Sequence, residues 1–326
     1  EGTTGNKVDL KSDVAITVND GTTTAAQLAR ITAITTANVT STAVAAISGT
    51  ATEMNTLAGL EGTDAGEIDL AATVALTITD GTTTAAQLKT INGLSTANIT
   101  ATAVSAISGN ASDLNDVAAL EGTDGNEIDL AATVAITVNN GTTTAAQLNT
   151  INGLSSANIT ATAVTAISGT ASALNTLVGN EGTASNKVDL KSDVAITLSA
   201  AEGTTYTILK ALMDATTGNV DAQNITKITG TRTLVASLIA AEGSDGNEID
   251  LDSDFAVTLT ETTQTASVLN TFNGTVPGLI DATSVTALSG TAADLDTLVG
   301  QEGTTGNKVD LKSDVAITVD AGTTTA

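Results

Sequence analysis

Apolar and polar residues alternate in short runs along this chain, and the runs return at a fixed distance. In residues 127 to 137, Ile128, Leu130, Val134 and Ile136 alternate with Asp129, Ala135 and Thr137. A period of two is the pattern of a β-strand with one buried face. Ala131-Ala132-Thr133 resets the phase, so two short strands joined by an arc are expected rather than one long one. Further on, Ile159, Ala161, Val164 and Ile167 repeat the pattern with a tighter bend, and Thr160, Thr162 and Thr165 take the opposite face. β-branched Thr suits an exposed strand face.

Each strand pair is followed by Gly-Thr, at Gly141-Thr142 and Gly169-Thr170, and then by a segment with helical spacing. Thr offers an N-cap to TTAAQLNTI (143 to 151) and ASALNTL (171 to 177). Leu148 and Ile151, or Leu174 and Leu177, fall on one side of a two-turn helix. Such a helix is stable only when docked on other structure. Asn152-Gly153 is an expected helix stop, because both residues tolerate the left-handed conformation.

The whole pattern is periodic. Glu-Gly recurs at Glu1, Glu61, Glu121, Glu181, Glu242 and Glu302, at spacings of 60, 60, 60, 61 and 60 residues. Fixed periods of this length mark stacked supersecondary units that cannot bury an apolar face alone. The predicted fold is an α/β repeat solenoid: short parallel strands in stacked coils of about 30 residues with short helices, two coils per repeat. Its repeats are 1–60, 61–120, 121–180, 181–241, 242–301 and a partial 302–326, in one continuous elongated array. Parallel strands stack about 4.8 Å apart, whereas packed helices need roughly 8 to 10 Å. Either the coils curve with the helices on the convex side, or successive helices sit in two offset rows.

Composition narrows the chemistry. Among 326 residues, 41% are hydrophobic but only 1% aromatic, so the expected core is built from aliphatic rows. The net charge of −25, with 11 Lys plus Arg, argues against nucleic acid or anionic membrane as partner. No apolar run reaches the length of a transmembrane helix. Zero Cys and zero His remove thiolate and imidazole chemistry and the usual zinc ligands. No enzymatic activity is expected. Residues 302 to 326 match residues 1 to 25 except at Asn19 and Asp20, as if the chain were cut from a longer array.

The candidate site lies before the first strand. Asp124, Asn126, Glu127 and Asp129 put hard oxygens around a Gly, a set that calcium prefers. Calcium is therefore the possible cofactor. The loop matches neither an EF-hand nor a calcium β-roll, and Lys7, Lys187 and Lys308 replace the Glu in other copies. The alternative is a polar turn whose Asp and Asn bond their own backbone. Lys11, Lys191 and Lys312, each followed by Asp, suggest opposite charges shared between repeats. Asn-x-Thr/Ser at Asn38, Asn98, Asn110, Asn140, Asn158, Asn224 and Asn273 is expected by chance in so Asn- and Thr-rich a chain. The fifth repeat holds the single Pro, Pro277, and both Phe residues, Phe255 and Phe272.

VTALSGTAADLDTLVG (285 to 300), ITATAVTAISGTASALNTL (159 to 177) and TASVLNTFNGTVPGLIDATSVTALSGTA (265 to 292) resemble repeats of the very large, Thr- and Ala-rich cell-surface proteins of marine cyanobacteria and other bacteria. Those repeats combine a Leu-Asn-Thr-Leu-Asp/Asn-Gly type segment with a Val-Thr-x-Leu-x-Gly-Thr-Ala segment. The resemblance implies a secreted, calcium-tolerant surface, motility-associated or adhesive protein, and it brings no catalytic residues with it. The expected role is a structural segment, as spacer, fibre or surface-layer material of an extracellular protein, whose partners are copies of itself or neighbouring repeats. The alternatives are an adhesin-type module for surfaces or glycans, or an ice-binding face formed by Thr82-Thr83-Thr84 and Thr100-x-Thr102.

Overall fold

The computed structural model describes residues 5, 7–139 and 141–320. Asn140 and residues 321–326 of the partial repeat lie outside them. The repeat 61–120 shows how the pattern is realised. Strands Ile68–Leu70 and Ala75–Ile78 are joined by a turn, and a third strand, Thr82–Thr84, leads into the helix Ala85–Asn92. Strands Ile99–Ala101 and Ala106–Gly109 then precede the helix Ala111–Leu120. The third strand was not expected, since Gly-Thr-Thr-Thr reads as a helix entry. It does both tasks: Thr84 ends the strand and caps the helix, its side chain accepting from the Gln87 N–H while the Gln87 side chain accepts from the Thr84 N–H.

Every pairing among the described strands is parallel, in short sheets of three or five strands. One sheet follows the order Ile128–Leu130, Ile99–Ala101, Ala75–Ile78, Val44–Gly49, Gly21–Thr24. The next follows Val188–Leu190, Ile159–Ala161, Ala135–Val138, Ala106–Gly109, Thr82–Thr84. Its inward row reads Thr83, Ile107, Ile136, Ile159 and Val188, all buried. Its outward row reads Thr84, Ser108, Thr137, Thr160 and Asp189. Partners along this sheet are separated by 24, 29, 23 and 29 residues.

By contact the chain divides into two compact units. The first holds Glu1–Gly141, Gln147–Ala163 and Gly182–Leu190; the second holds Thr142–Ala146, Val164–Glu181 and Lys191–Ala326. In the first, the helices Ala25–Thr32, Ala51–Ala58, Ala85–Asn92 and Ala111–Leu120 touch in chain order. In the second, Ala171–Gly179 touches Tyr206–Ala215, which touches Arg232–Ile239, and Ala266–Asn273 touches Ala292–Gln301. Among the described residues no helix is long and apolar enough to cross a membrane.

Helix ends differ from expectation. Gly59, Gly93 and Gly274 stop their helices in the right-handed region, with φ of −74°, −69° and −72°. Asn152-Gly153 does not stop its helix at all, which runs Ala145–Leu154. Glycine is required elsewhere, for close approach. A Cβ on Gly109 would lie 2.9 Å from the Ala85 Cβ, and one on Gly290 3.0 Å from the Ala266 Cβ. The end of each long strand there packs directly under the first residue of the preceding helix.

The aliphatic rows carry the stability. Ile128 is fully buried opposite Ile99, whereas Thr100 beside it is exposed. Ile128→Ala is expected to lower unfolding free energy by about 2 to 5 kcal/mol and Thr100→Ala by less than about 0.5 kcal/mol, read from urea denaturation midpoints.

Candidate functional site

The loop that precedes each first strand is built around a Glu folded back on itself. Glu127 turns its carboxylate into the turn, where Oε2 accepts the Asp124 N–H at 2.9 Å. Glu67 does the same to Asp64 at 2.8 Å, and Glu248 to Asp245 at 2.9 Å. The carboxylate lies against the Gly of the recurring Glu-Gly pair, where a Cβ on Gly122 would come within 2.0 Å of Glu127 Oε2. That contact explains why the pair recurs in these repeats. Where Lys187 takes the place of Glu127, the side chain runs past Gly182 at ordinary contact distance.

The four candidate ligands are therefore placed differently. Glu127 is half-buried and bonded within the turn. Asp124 and Asn126 are exposed. Asp129 sits on the strand, in register with Thr100. Among the described residues no three acidic side chains converge closely enough to hold a metal ion. Asn126 instead borders a cavity of about 280 Å³ that Glu61, Asn92 and Ser95 also line.

A second Asn column holds the turn from outside. Asn98 donates from Nδ2 to the carbonyls of Gly122 and Glu127 at 3.0 and 3.2 Å. Asn38 donates to Gly62, Asp64 and Glu67, Asn158 to Gly182, Ala184 and Lys187, and Asn219 to Gly243 and Asp245. Each is half-buried. Three of these are among the Asn-x-Thr triplets that chance would explain. Their even recurrence at 38, 98, 158 and 219 was the available signal. Of the other triplets, Asn110 caps a helix, Asn224 donates to Leu198 O and Asn273 is buried.

Hydroxyls just ahead of that column tie the chain to the strand arc 21 or 22 residues back. Thr35 donates to Val14 O, Ser95 to Val74 O, Ser155 to Val134 O and Thr216 to Val194 O, at 2.6 to 2.7 Å. The fifth repeat replaces this hydroxyl with buried Val276, and Asn307 bonds the Val276 carbonyl instead. Beside it, Pro277, Phe255, Gln223, Glu242, Asp250 and Asp252 border a cavity of about 620 Å³.

Carboxylates also meet helix N-termini across turns. Asp80 accepts the Ala51 N–H at 2.9 Å, Glu202 accepts that of Ala171 at 2.6 Å, and Glu261 accepts that of Arg232. Free N–H groups and the helix dipole favour negative charge there. Of the ice-binding candidates, Thr83 is 7% exposed and Thr84 is the cap, so the triplet does not present three hydroxyls in a row.

The Lys residues pair mostly at short range. Lys11, Lys191 and Lys312 reach Asp13, Asp193 and Asp314 in their own turns at 2.9, 3.0 and 2.8 Å. These bonds hold Asp193 and Asp314 below the usual carboxylate range. Where Asp252 stands in place of Lys, the hydrogen bond and repulsion it shares with Asp254 push Asp254 up. Attraction between repeat halves is met at Lys89, which links two helices through Asp113 at 2.7 Å and Asp116 at 2.6 Å.

No known protein family, curated protein or solved structure matches this chain.

Two outcomes follow from these bonds. Asn98→Ala leaves two carbonyls without their donor, at a cost of about 1 to 3 kcal/mol. Hydrogen exchange of the Gly122 amide, which bonds Ile128 O, is expected to accelerate before global unfolding does. The second outcome concerns Lys89 and Asp113. Hydrogen bonding to Asp113 and Asp116 raises the Lys89 pKa, and bonding to Lys89 lowers that of Asp113. The pair therefore stabilises between the two folded values. Its contribution is lost as pH falls through the depressed Asp113 value, and again as pH rises through the raised Lys89 value. The Tm difference between the protein and Lys89→Met is expected to be flat around neutral pH, to vanish at both extremes and to shrink with added salt.

Proposed function

We propose that this chain is a non-catalytic structural segment of an extracellular or cell-surface protein, a stiff solenoid that acts as spacer, fibre or surface-layer material. The observation that carries the reading is where the polar side chains go. Asn98, Ser95 and Asp80, with their counterparts, each bond backbone about one coil away along the sequence. A chain that directs its amides, hydroxyls and carboxylates to joining successive coils is organised to propagate structure. The resemblance to giant Thr- and Ala-rich surface proteins supports the location, and the excess of negative charge supports solubility outside a cell.

The register offsets support a winding in which strands meet again after 23 to 29 residues, so that a 60-residue repeat makes slightly more than two turns. Turns of this kind stack without a closing boundary, and the number of repeats sets the length. Glu127, bonded inside its own turn, supports a structural role for that loop over an ion-binding one.

Removal of residues 121–180 tests the reading. The shortened protein is expected to fold with unchanged circular dichroism per residue, and small-angle scattering is expected to show its longest dimension shortened in proportion to the residues removed. A particle that stays the same length, or a deletion that abolishes folding, would sink the array.

A further inference from the structure

Two of the sheets are incomplete in complementary ways. Each five-stranded sheet passes through the same five positions in the repeat. In Val188–Leu190, Ile159–Ala161, Ala135–Val138, Ala106–Gly109 and Thr82–Thr84 the middle position belongs to the Ala-Ile-Thr-Val strand. Among the described residues, two sheets have only three strands. One is Ile16–Thr17, Val39–Ser41, Ile68–Leu70; the other is Thr263–Thr265, Ala287–Gly290, Ala316–Val319. The first lacks the two positions on one side of the middle strand, and the second lacks the two on the other. Both stop at that middle strand, and its sequence is the same in each: Ala15-Ile16-Thr17-Val18 and Ala316-Ile317-Thr318-Val319, inside identical stretches 7–18 and 308–319.

The open side of the second sheet is apolar. Ile317 is 57% and Val319 61% exposed, whereas their counterparts Ile136 and Val138 are each 1% exposed between two neighbouring strands. An unpaired strand edge with exposed apolar residues is a template for another chain. The strand that fits beside it in every complete sheet is the Val39–Ser41 type, as Ile159 fits beside Ile136.

We propose that chains of residues 1–326 associate head to tail by strand exchange, so that Ala316–Val319 of one copy takes the place of Ile16–Thr17 beside Val39–Ser41 of the next. This rests on the array reading above and names the partner as a second copy of the chain. The exchange swaps identical residues, so the contacts given up are regained, and the burial of Ile317 and Val319 is added. The C-terminal strand is the donor because it is the better held. It pairs Ala287–Gly290 over four positions, whereas Ile16–Thr17 pairs Val39 and Thr40 over two. The rebuilt sheet has the five positions in order, and a head-to-tail contact of this kind continues from copy to copy without closing.

Cysteine pairs report the exchange, since the chain contains no Cys. Thr17 pairs Thr40 within one copy, and Thr318 occupies the place of Thr17. Neighbouring strand positions of this sort lie within disulfide range. Oxidised Thr40→Cys/Thr318→Cys protein is expected to run as a ladder of covalent multimers on non-reducing denaturing gels and to collapse to monomer with reductant. Adding Ile317→Asp should remove the ladder, and adding Ile16→Asp, which weakens the resident strand, should strengthen it. A Thr17→Cys/Thr40→Cys control should close within one chain. If that control closes while Thr40→Cys/Thr318→Cys stays monomeric at every concentration, strand exchange is wrong and the array reading stands. If multimers form instead through Thr17→Cys/Thr318→Cys alone, the copies meet edge to edge without exchange, and the proposal also fails. If the control itself cannot close, the register of the array is wrong and both readings fall.

Discussion

The parallel backbone ladder between strands of three or four residues is the interaction on which the rest of this structure depends. A strand that short cannot hold its place by itself, and parallel partners need a long connection to come alongside. The chain meets that requirement by repetition. Ile136 is held by Ile107 on one side and Ile159 on the other, and each of those is held in turn. Helices, caps and turns are then free to be small, because their task is to bring the chain back to the next rung at the right distance.

That task explains where the polar groups lie. A connection of some 20 residues between rungs would leave backbone carbonyls and N–H groups without partners, and buried ones are costly. Asn98 covers the carbonyls of the turn before Ile128, Ser95 covers Val74 O, and Asp80 covers the first N–H of the helix at Ala51. Glu127 stabilises the interior of its turn. Part of the large negative charge therefore belongs to the scaffold: carboxylates stand where N–H groups point outward and find no backbone acceptor.

The sequence pattern made the fold class and most elements readable. The alternation at Ile128, Leu130 and Ile136 and the spacing of Leu174 and Leu177 come directly from the faces that are buried, so hydrophobicity reports them. What stayed hidden has no such signature. Gly141–Thr144 is a strand because a neighbouring strand pairs with it, while its residues read equally well as a cap. Gly93 is right-handed although Asn-Gly favours a left-handed stop, because the chain continues for another tight turn into Leu94. The Asn column was visible as a period but not as a function, since its partners are carbonyls, which carry no residue identity. For the candidate site, the sequence named the right turn; the side-chain directions that separate Asp124, Asn126, Glu127 and Asp129 depend on the neighbouring Gly122 and Asn98.

The contact of Gly109 with Ala85, repeated at Gly290 with Ala266, leaves no space for a branched or aromatic side chain where each strand end meets the helix before it. Together with the rung spacing, it holds the chain to Gly, Ala, Thr and a few aliphatic residues, and a low-complexity composition is the outcome. Two chains that wind at this pitch would converge on similar letters independently. Likeness of composition between such proteins is in the first place a statement about spacing, and only afterwards one about ancestry.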